Sequence, residues 1–166
     1  MKRDQSRWKF KLRDIVKDDV TGYEGVALGI GELETGCTYY GIAPQEVKDA
    51  KPAEWHWFDE SRLVHVGHCD GYVPLEWDQF YNMHDVVKDT ITGYTGTVMD
   101  ITFYASGCLG YGVQAAKFDK GVPVPVQFFT QDRLAFVKAA KRAPRVETVE
   151  RPPSPPFHQN APSIGG

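Results

Sequence analysis

Apolar and polar positions alternate with a period of two along most of this chain, and glycine-centred turns break the alternation about every 8–12 residues. Phe10, Leu12 and Val16 begin a half-buried strand that runs toward Asp18. Thr21-Gly22 follows as a tight turn, because glycine supplies a backbone angle other residues avoid. Tyr23 to Ile30 is a second strand, with Gly25 marking a bulge or a close backbone approach. Glu34-Thr35-Gly36 is another turn, and Cys37 to Pro44 a third strand rich in aromatic and β-branched residues. Gln45 to Glu54 is a polar loop containing Pro52. Trp55-His56-Trp57-Phe58 forms a fourth strand or an aromatic edge. Asp59 to Leu63 is a single helical turn capped by Asp59, and Leu63 to Val66 a last short strand.

The whole pattern is then written again. Lys17-Asp18-Asp19-Val20-Thr21-Gly22-Tyr23-Glu24-Gly25 returns as Lys88-Asp89-Thr90-Ile91-Thr92-Gly93-Tyr94-Thr95-Gly96, at an offset of 71 residues. The offset holds without a gap from Asp14/Asp85 to Leu63/Leu134, with about 17 identities in 50 positions. Such a repeat outranks other signals. It divides the chain into an N-terminal segment (1–9) anchored by Trp8, a first β repeat (10–66), a connector (67–80), a second repeat (81–138) and a proline-rich tail (139–166). Five short strands with one helical turn before the last predict an all-β protein of two tandem SH3-like small barrels. A single β-sandwich built by both copies is the rival. A unit of this size is marginal alone, so the two share an interface. The connector reads as docked, with a short helix over Leu75–Tyr81. The tail, centred on Pro152-Pro153-Ser154-Pro155-Pro156, reads as extended.

Net charge of −3 and a pI near 5.9 argue against nucleic-acid binding. No apolar run reaches membrane-spanning length, and Met1-Lys2-Arg3-Asp4-Gln5 leads into no apolar signal core. The expected setting is a cytoplasm, or a particle assembled there. Three cysteines make no disulfide framework. Cys37 and Cys108 hold equivalent positions after Gly36 and Gly107 and read as small buried thiols, or as a pair meeting across a pseudo-twofold axis.

His65-Val66-Gly67-His68-Cys69-Asp70 gathers ligand-capable side chains, but structural zinc wants a second pair of ligands and the other copy has none. Neither a metal nor a cofactor is expected. With no nucleophile motif and no phosphate loop, nor is catalysis. The repeated polar residues, including Tyr23/Tyr94 and Arg62/Arg133, read in two ways. As a ligand site, tyrosine faces would take a base and arginines a phosphate. As fold determinants, they would cap turns, pack and pair with acidic neighbours. Trp55 and Trp57 form a partner-binding patch if exposed. In the tail, Lys141, Arg142 and Arg145 would steer toward an acidic surface, and Phe157 and Ile164 would anchor on a neighbour.

Asp18 to Gly25, Gly36-Cys37 and Trp57-Phe58-Asp59-Glu60-Ser61-Arg62-Leu63 carry a resemblance. The chain is similar to a family of short phage- and prophage-encoded proteins, largely of unassigned function. The second copy keeps Asp89 to Gly96, Gly107-Cys108 and Arg133-Leu134, but has Phe128-Phe129-Thr130-Gln131 in place of Trp-Phe-Asp-Glu. The resemblance implies a viral origin; joined with the extended tail, which suits assembly, it leads to the expectation of a virion structural protein that decorates a capsid or joins head and tail, contacts other virion proteins and belongs to a larger assembly. Two alternatives stand beside it: a phage-encoded protein that captures a host protein or a signalling nucleotide, and a KOW-like nucleic-acid binder.

Overall fold

The computed structural model describes residues 1–140. The expectations for Lys141, Arg142, Arg145, Phe157 and Ile164 lie outside the described residues. The protein is all-β. In chain order the strands are β1 (Lys2–Arg3), β2 (Asp14–Asp18), β3 (Glu24–Leu33), β4 (Thr38–Ala43), β5 (Val47–Lys48), β6 (Lys51–Pro52), β7 (His56–Asp59) and β8 (Leu63–His68). They continue as β9 (Trp77–Asp78), β10 (Val86–Asp89), β11 (Thr95–Tyr104), β12 (Leu109–Gln114), β13 (Phe118–Asp119), β14 (Val122–Pro123), β15 (Gln127–Thr130) and β16 (Leu134–Lys138). Single 3₁₀ turns, Glu60–Arg62 and Gln131–Arg133, precede β8 and β16.

The first unit pairs in the order β8-β2-β3-β4-β7 and the second in the order β16-β10-β11-β12-β15. Among the described residues no ladder joins β7 to β8 or β15 to β16, so each unit is an open, curved five-stranded sheet. The long strands bend where the register shifts, between Ala27 and Gly29 and between Val98 and Asp100, at equivalent places in the two repeats. A bulge adds twist and turns the strand from one set of partners to the next. β3 gives its first half to β2 and its second half to β11.

That β3–β11 ladder fuses the units into one ten-stranded sheet. Its register places Gly31 opposite Thr102, and these are the same position in the two repeats. Antiparallel pairing of equivalent residues is what a local twofold axis through that point produces.

Inside the first unit Phe10 meets Tyr40 edge-on at 5.4 Å, and inside the second Tyr81 meets Tyr111 at the same distance. Between the units sit Trp8, Trp77 and Phe103, with centroids 5.0–5.9 Å apart. Trp8 is 4 % exposed and Trp77 1 %, and burying each contributes about 2–3 kcal/mol. Their indole N–H groups donate to Glu32 Oε1 (2.9 Å) and to the Tyr104 carbonyl (3.0 Å). The N-terminal segment and the connector thus cover the inner face of the fused sheet, and β1 pairs β9 at its margin.

Three expectations are corrected. The first strand begins at Asp14, because Arg13 has φ 75° and breaks the extended run; Phe10 and Leu12 are buried from a loop. The connector has no helix over Leu75–Tyr81. Trp77, Gln79 and Tyr81 are buried while Asp78 and Phe80 are exposed, a period of two that suits β9 and its extension. Cys37 and Cys108 are exposed and free, not buried, because each lies at the outer tip of a hairpin just past a glycine in the left-handed region (Gly36 φ 85°, Gly107 φ 95°). Both thiols should therefore react with a maleimide within seconds in the native protein, ahead of the half-buried Cys69. Slow labelling of either would contradict this placement.

Candidate functional site

The repeated polar residues are fold determinants. Arg62 donates from Nε and Nη2 to the two oxygens of Asp18 (2.8 and 2.7 Å), and Arg133 does the same to Asp89 (3.0 and 2.8 Å). Both aspartates are fully buried and also accept from the N–H of Thr21 or Thr92 (2.9 and 3.0 Å). The arginine's donation holds each carboxyl far below the usual carboxylate range. Tyr23 is half-buried and donates to the Glu54 carbonyl at 3.0 Å. Tyr94 accepts from the Ala115 N–H at 3.2 Å. Arg62 lies over Phe58 and Arg133 over Phe129. Arg62, Arg133, Tyr23 and Tyr94 are each bonded within their own unit.

His65 and His68 both turn toward Asp14, at 3.7 and 3.2 Å. Among the described residues no group of three or more His, Cys, Asp or Glu is placed to hold a metal ion.

Trp57 leads to the site. On the outer face of the fused sheet, a cavity of about 260 Å³ is lined by Tyr39, Trp57, Thr102, Tyr104 and Phe128. Its floor is glycine backbone. A Cβ on Gly29 would lie 2.8 Å from the Trp57 ring, and one on Gly41 2.9 Å from it. A Cβ on Gly31 would meet the Tyr39 ring at 2.2 Å, and one on Gly112 the Phe128 ring at 3.2 Å. Rings can lie this close to a sheet only where no side chain stands between. Trp57 and Phe128 are equivalent residues on opposite sides of the local twofold axis, 41 % and 63 % exposed. Beneath them Asp100, 4 % exposed, accepts from the Tyr39 hydroxyl and from Thr102 Oγ1 (3.0 Å). Burial pushes the Asp100 and Tyr39 protons toward tighter binding.

Tyr104 also lines the neighbouring cavity of about 370 Å³, with Arg13, Leu28, Trp55, Tyr72, Ala105 and Ser106. The two cavities together make one aromatic groove. Arg13 marks its end; its guanidinium reaches the Asp70 carbonyl at 3.4 Å, while the buried Nε has no partner. The equivalent of Arg13 in the second repeat is His84, and His84 is tied to Glu34 at 3.1 Å.

No family model, curated protein or solved structure matches this chain.

Of the sequence-predicted partner residues, Trp55 and Trp57 line the groove. Tyr39, Asp100, Thr102, Tyr104 and Phe128 complete it and were not singled out as a site. Their signal is divergence within the repeat: Tyr39 answers Gly110, Asp100 answers Gly29, Thr102 answers Gly31, Tyr104 answers Leu33, and Trp55 answers Val126. Chemically, such a groove offers aromatic faces, a few hydroxyls and one cation at its end. It suits an extended segment carrying flat or cyclic side chains.

Proposed function

We propose that this chain is a non-catalytic docking protein of a phage particle, decorating the capsid or joining head and tail through contacts with other virion proteins. The aromatic groove carries the reading. Exposed Trp, Tyr and Phe held rigidly at the centre of a sheet are the anchors that dominate protein–protein contacts. The groove's carboxylate, Asp100, is already engaged by Tyr39 and Thr102 rather than poised beside a nucleophile. Each unit is, on this reading, a member of the SH3-like small barrels. The strand order, the bent central strand and the 3₁₀ turn before the last strand support that relation. The particle setting rests on the resemblance carried by Asp18 to Gly25 and Trp57 to Leu63. On this reading the protein belongs to the virion after assembly in the host cytoplasm, as part of a larger assembly.

Mass spectrometry of purified particles tests it, together with the double variant Trp57→Ala/Phe128→Ala. The protein should be present in particles at fixed stoichiometry. The variant should fold, with a melting temperature within a few degrees of the parent, yet be incorporated at least tenfold less. Absence from particles, or undiminished incorporation of the variant, would overturn the proposal.

A second reading has one observation in its favour: the 260 Å³ cavity between Trp57 and Phe128 has room for a single ring. A phage protein that sequesters a ring-containing host metabolite would show saturable quenching of Trp57 fluorescence by that metabolite.

A further inference from the structure

We infer that the groove takes an extended acidic peptide, whose carboxylate is held by Arg13 while its aromatic side chains lie against Trp55, Trp57 and Tyr104. The inference rests on the docking reading above and names the chemistry of the partner's segment.

Arg13 is an arginine without an acid. Arg7, Arg62 and Arg133 each pair with a carboxylate at 2.6–2.8 Å. Arg13 pairs with none among the described residues. It reaches the Asp70 carbonyl at 3.4 Å and Cys69 Sγ at 3.9 Å, and its buried Nε has no partner. Buried donors are normally bonded.

The second repeat shows what is missing. The Arg13 N–H donates to the Ala27 carbonyl and the His84 N–H to the Val98 carbonyl, both at 2.8 Å. One residue further along each long strand, the Leu28 carbonyl accepts from the Ala105 N–H (2.9 Å) and the Met99 carbonyl from the Glu34 N–H (3.0 Å). Ala105 therefore stands to Arg13 as Glu34 stands to His84. Glu34 ties His84 at 3.1 Å. Beside Arg13 the same place holds a methyl group, and Ala105 and Arg13 line one cavity. A carboxylate from outside can take that place. Ser106 lines the cavity too, and its Oγ accepts from the Cys108 N–H at 3.5 Å, so its O–H can donate to the same carboxylate. Of the residues lining the two cavities Arg13 alone is charged.

The form of the groove selects a segment of a larger partner. Tyr72, a wall beside Arg13, is 75 % exposed, whereas a small-molecule site encloses most of its ligand. Gly29 and Gly31, beneath the Trp57 and Tyr39 rings, lie two residues apart on β3, about 7 Å. One face of an extended peptide repeats its side chains at that spacing. Alternate residues can therefore lay rings along the groove and end on a carboxylate at Arg13.

Isothermal titration calorimetry of the full-length chain tests this. The probe is the blocked peptide Glu-Gly-Phe-Gly-Phe-Gly-Glu, which reads alike in both directions, and the control has Gln at both ends. The parent should bind the Glu peptide at least tenfold more tightly than the Gln peptide in 50 mM salt, and the gap should narrow in 500 mM salt. Arg13→Gln should bind the two peptides alike. Ala105→Glu, which supplies the carboxylate from within the chain, should fold with a melting temperature at or above the parent's and also lose the preference. Equal binding of the two peptides by the parent overturns the inference, as does no binding of either at 1 mM. So does a preference that survives in Ala105→Glu. Displacement of the Glu peptide by micromolar adenosine monophosphate makes the site one for a nucleotide and overturns the peptide form. In each case the docking function stands if Trp57→Ala/Phe128→Ala is still lost from particles.

Discussion

Gly25→Ala and Gly96→Ala should each lower stability by about 3 kcal/mol, a fall of about 6–12 °C in melting temperature for a chain of this size. The reason is backbone, not conformation. A Cβ on Gly25 would sit 2.4 Å from the Ala43 carbonyl oxygen and 2.7 Å from its carbon. A Cβ on Gly96 would sit 2.4 Å from the Gln114 oxygen and 2.6 Å from its carbon. These are main-chain atoms at the ends of β4 and β12, so no side chain can swing aside; the ladder itself must shift. Gly31 is a useful contrast. Its Cβ would strike the Tyr39 ring, which can move, so Gly31→Ala should open the groove with a smaller loss of stability. Gly67 serves as the control, since its nearest neighbour is Ile15 Cδ1 at 3.7 Å and alanine fits there. Thermal melts of the four variants decide the matter. If Gly25→Ala melts with the parent while Gly67→Ala behaves as expected, the close β3–β4 approach is not what Gly25 serves.

The strands of each unit, the Thr-Gly turns and the capped 3₁₀ turn were legible because local chemistry fixes them. Gly22 and Gly93 both have φ 77°, and Asp59 accepts from the Ser61 N–H at 2.9 Å. The repeat made equivalence legible as well, but identity between copies picks out residues whose side chains are engaged within each unit. Residues kept in both copies, such as Arg62/Arg133 and Tyr23/Tyr94, hold the fold, since both units must close in the same way. A groove on the twofold axis belongs to neither unit alone. Its walls come from positions where the copies differ, which a comparison by identity passes over. The fusion through β3 and β11 was equally hidden, because nothing local to Gly29–Leu33 names its partner strand. The connector misled for a related reason: Trp77, Phe80 and Tyr81 are as compatible with a helix as with a strand until β1 supplies a pairing edge.

Acid should unfold this protein steeply, and the two buried aspartates should account for most of the slope. In the unfolded chain Asp18 and Asp89 titrate near 3.9. In the folded chain the Arg62 and Arg133 guanidinium groups hold both carboxyls far lower. As pH falls through about 4, the unfolded chain takes up protons that the folded chain refuses. The stability supplied by the two pairs is therefore fully present above about pH 5 and is lost as pH falls from about 4 toward the folded values. The exposed caps Asp4 and Asp59 are shifted the same way by Ser6 and Ser61. Asp100 runs the other way, because burial raises its pKa and protonation relieves its desolvation. Comparing variants removes these common contributions. Melting temperatures from pH 7 to 2, with proton uptake on unfolding, should show about two protons bound through Asp18 and Asp89. Asp89→Asn should reduce that to about one. It should also melt lower at pH 7, because the Asn side chain turns an amide N–H₂ toward Arg133, or leaves that arginine short of an acceptor. Asp59→Asn should leave the slope nearly unchanged. A parent melting temperature that stays flat down to pH 2.5, or an Asp89→Asn slope equal to the parent's, would show that the two ion pairs do not lock the units.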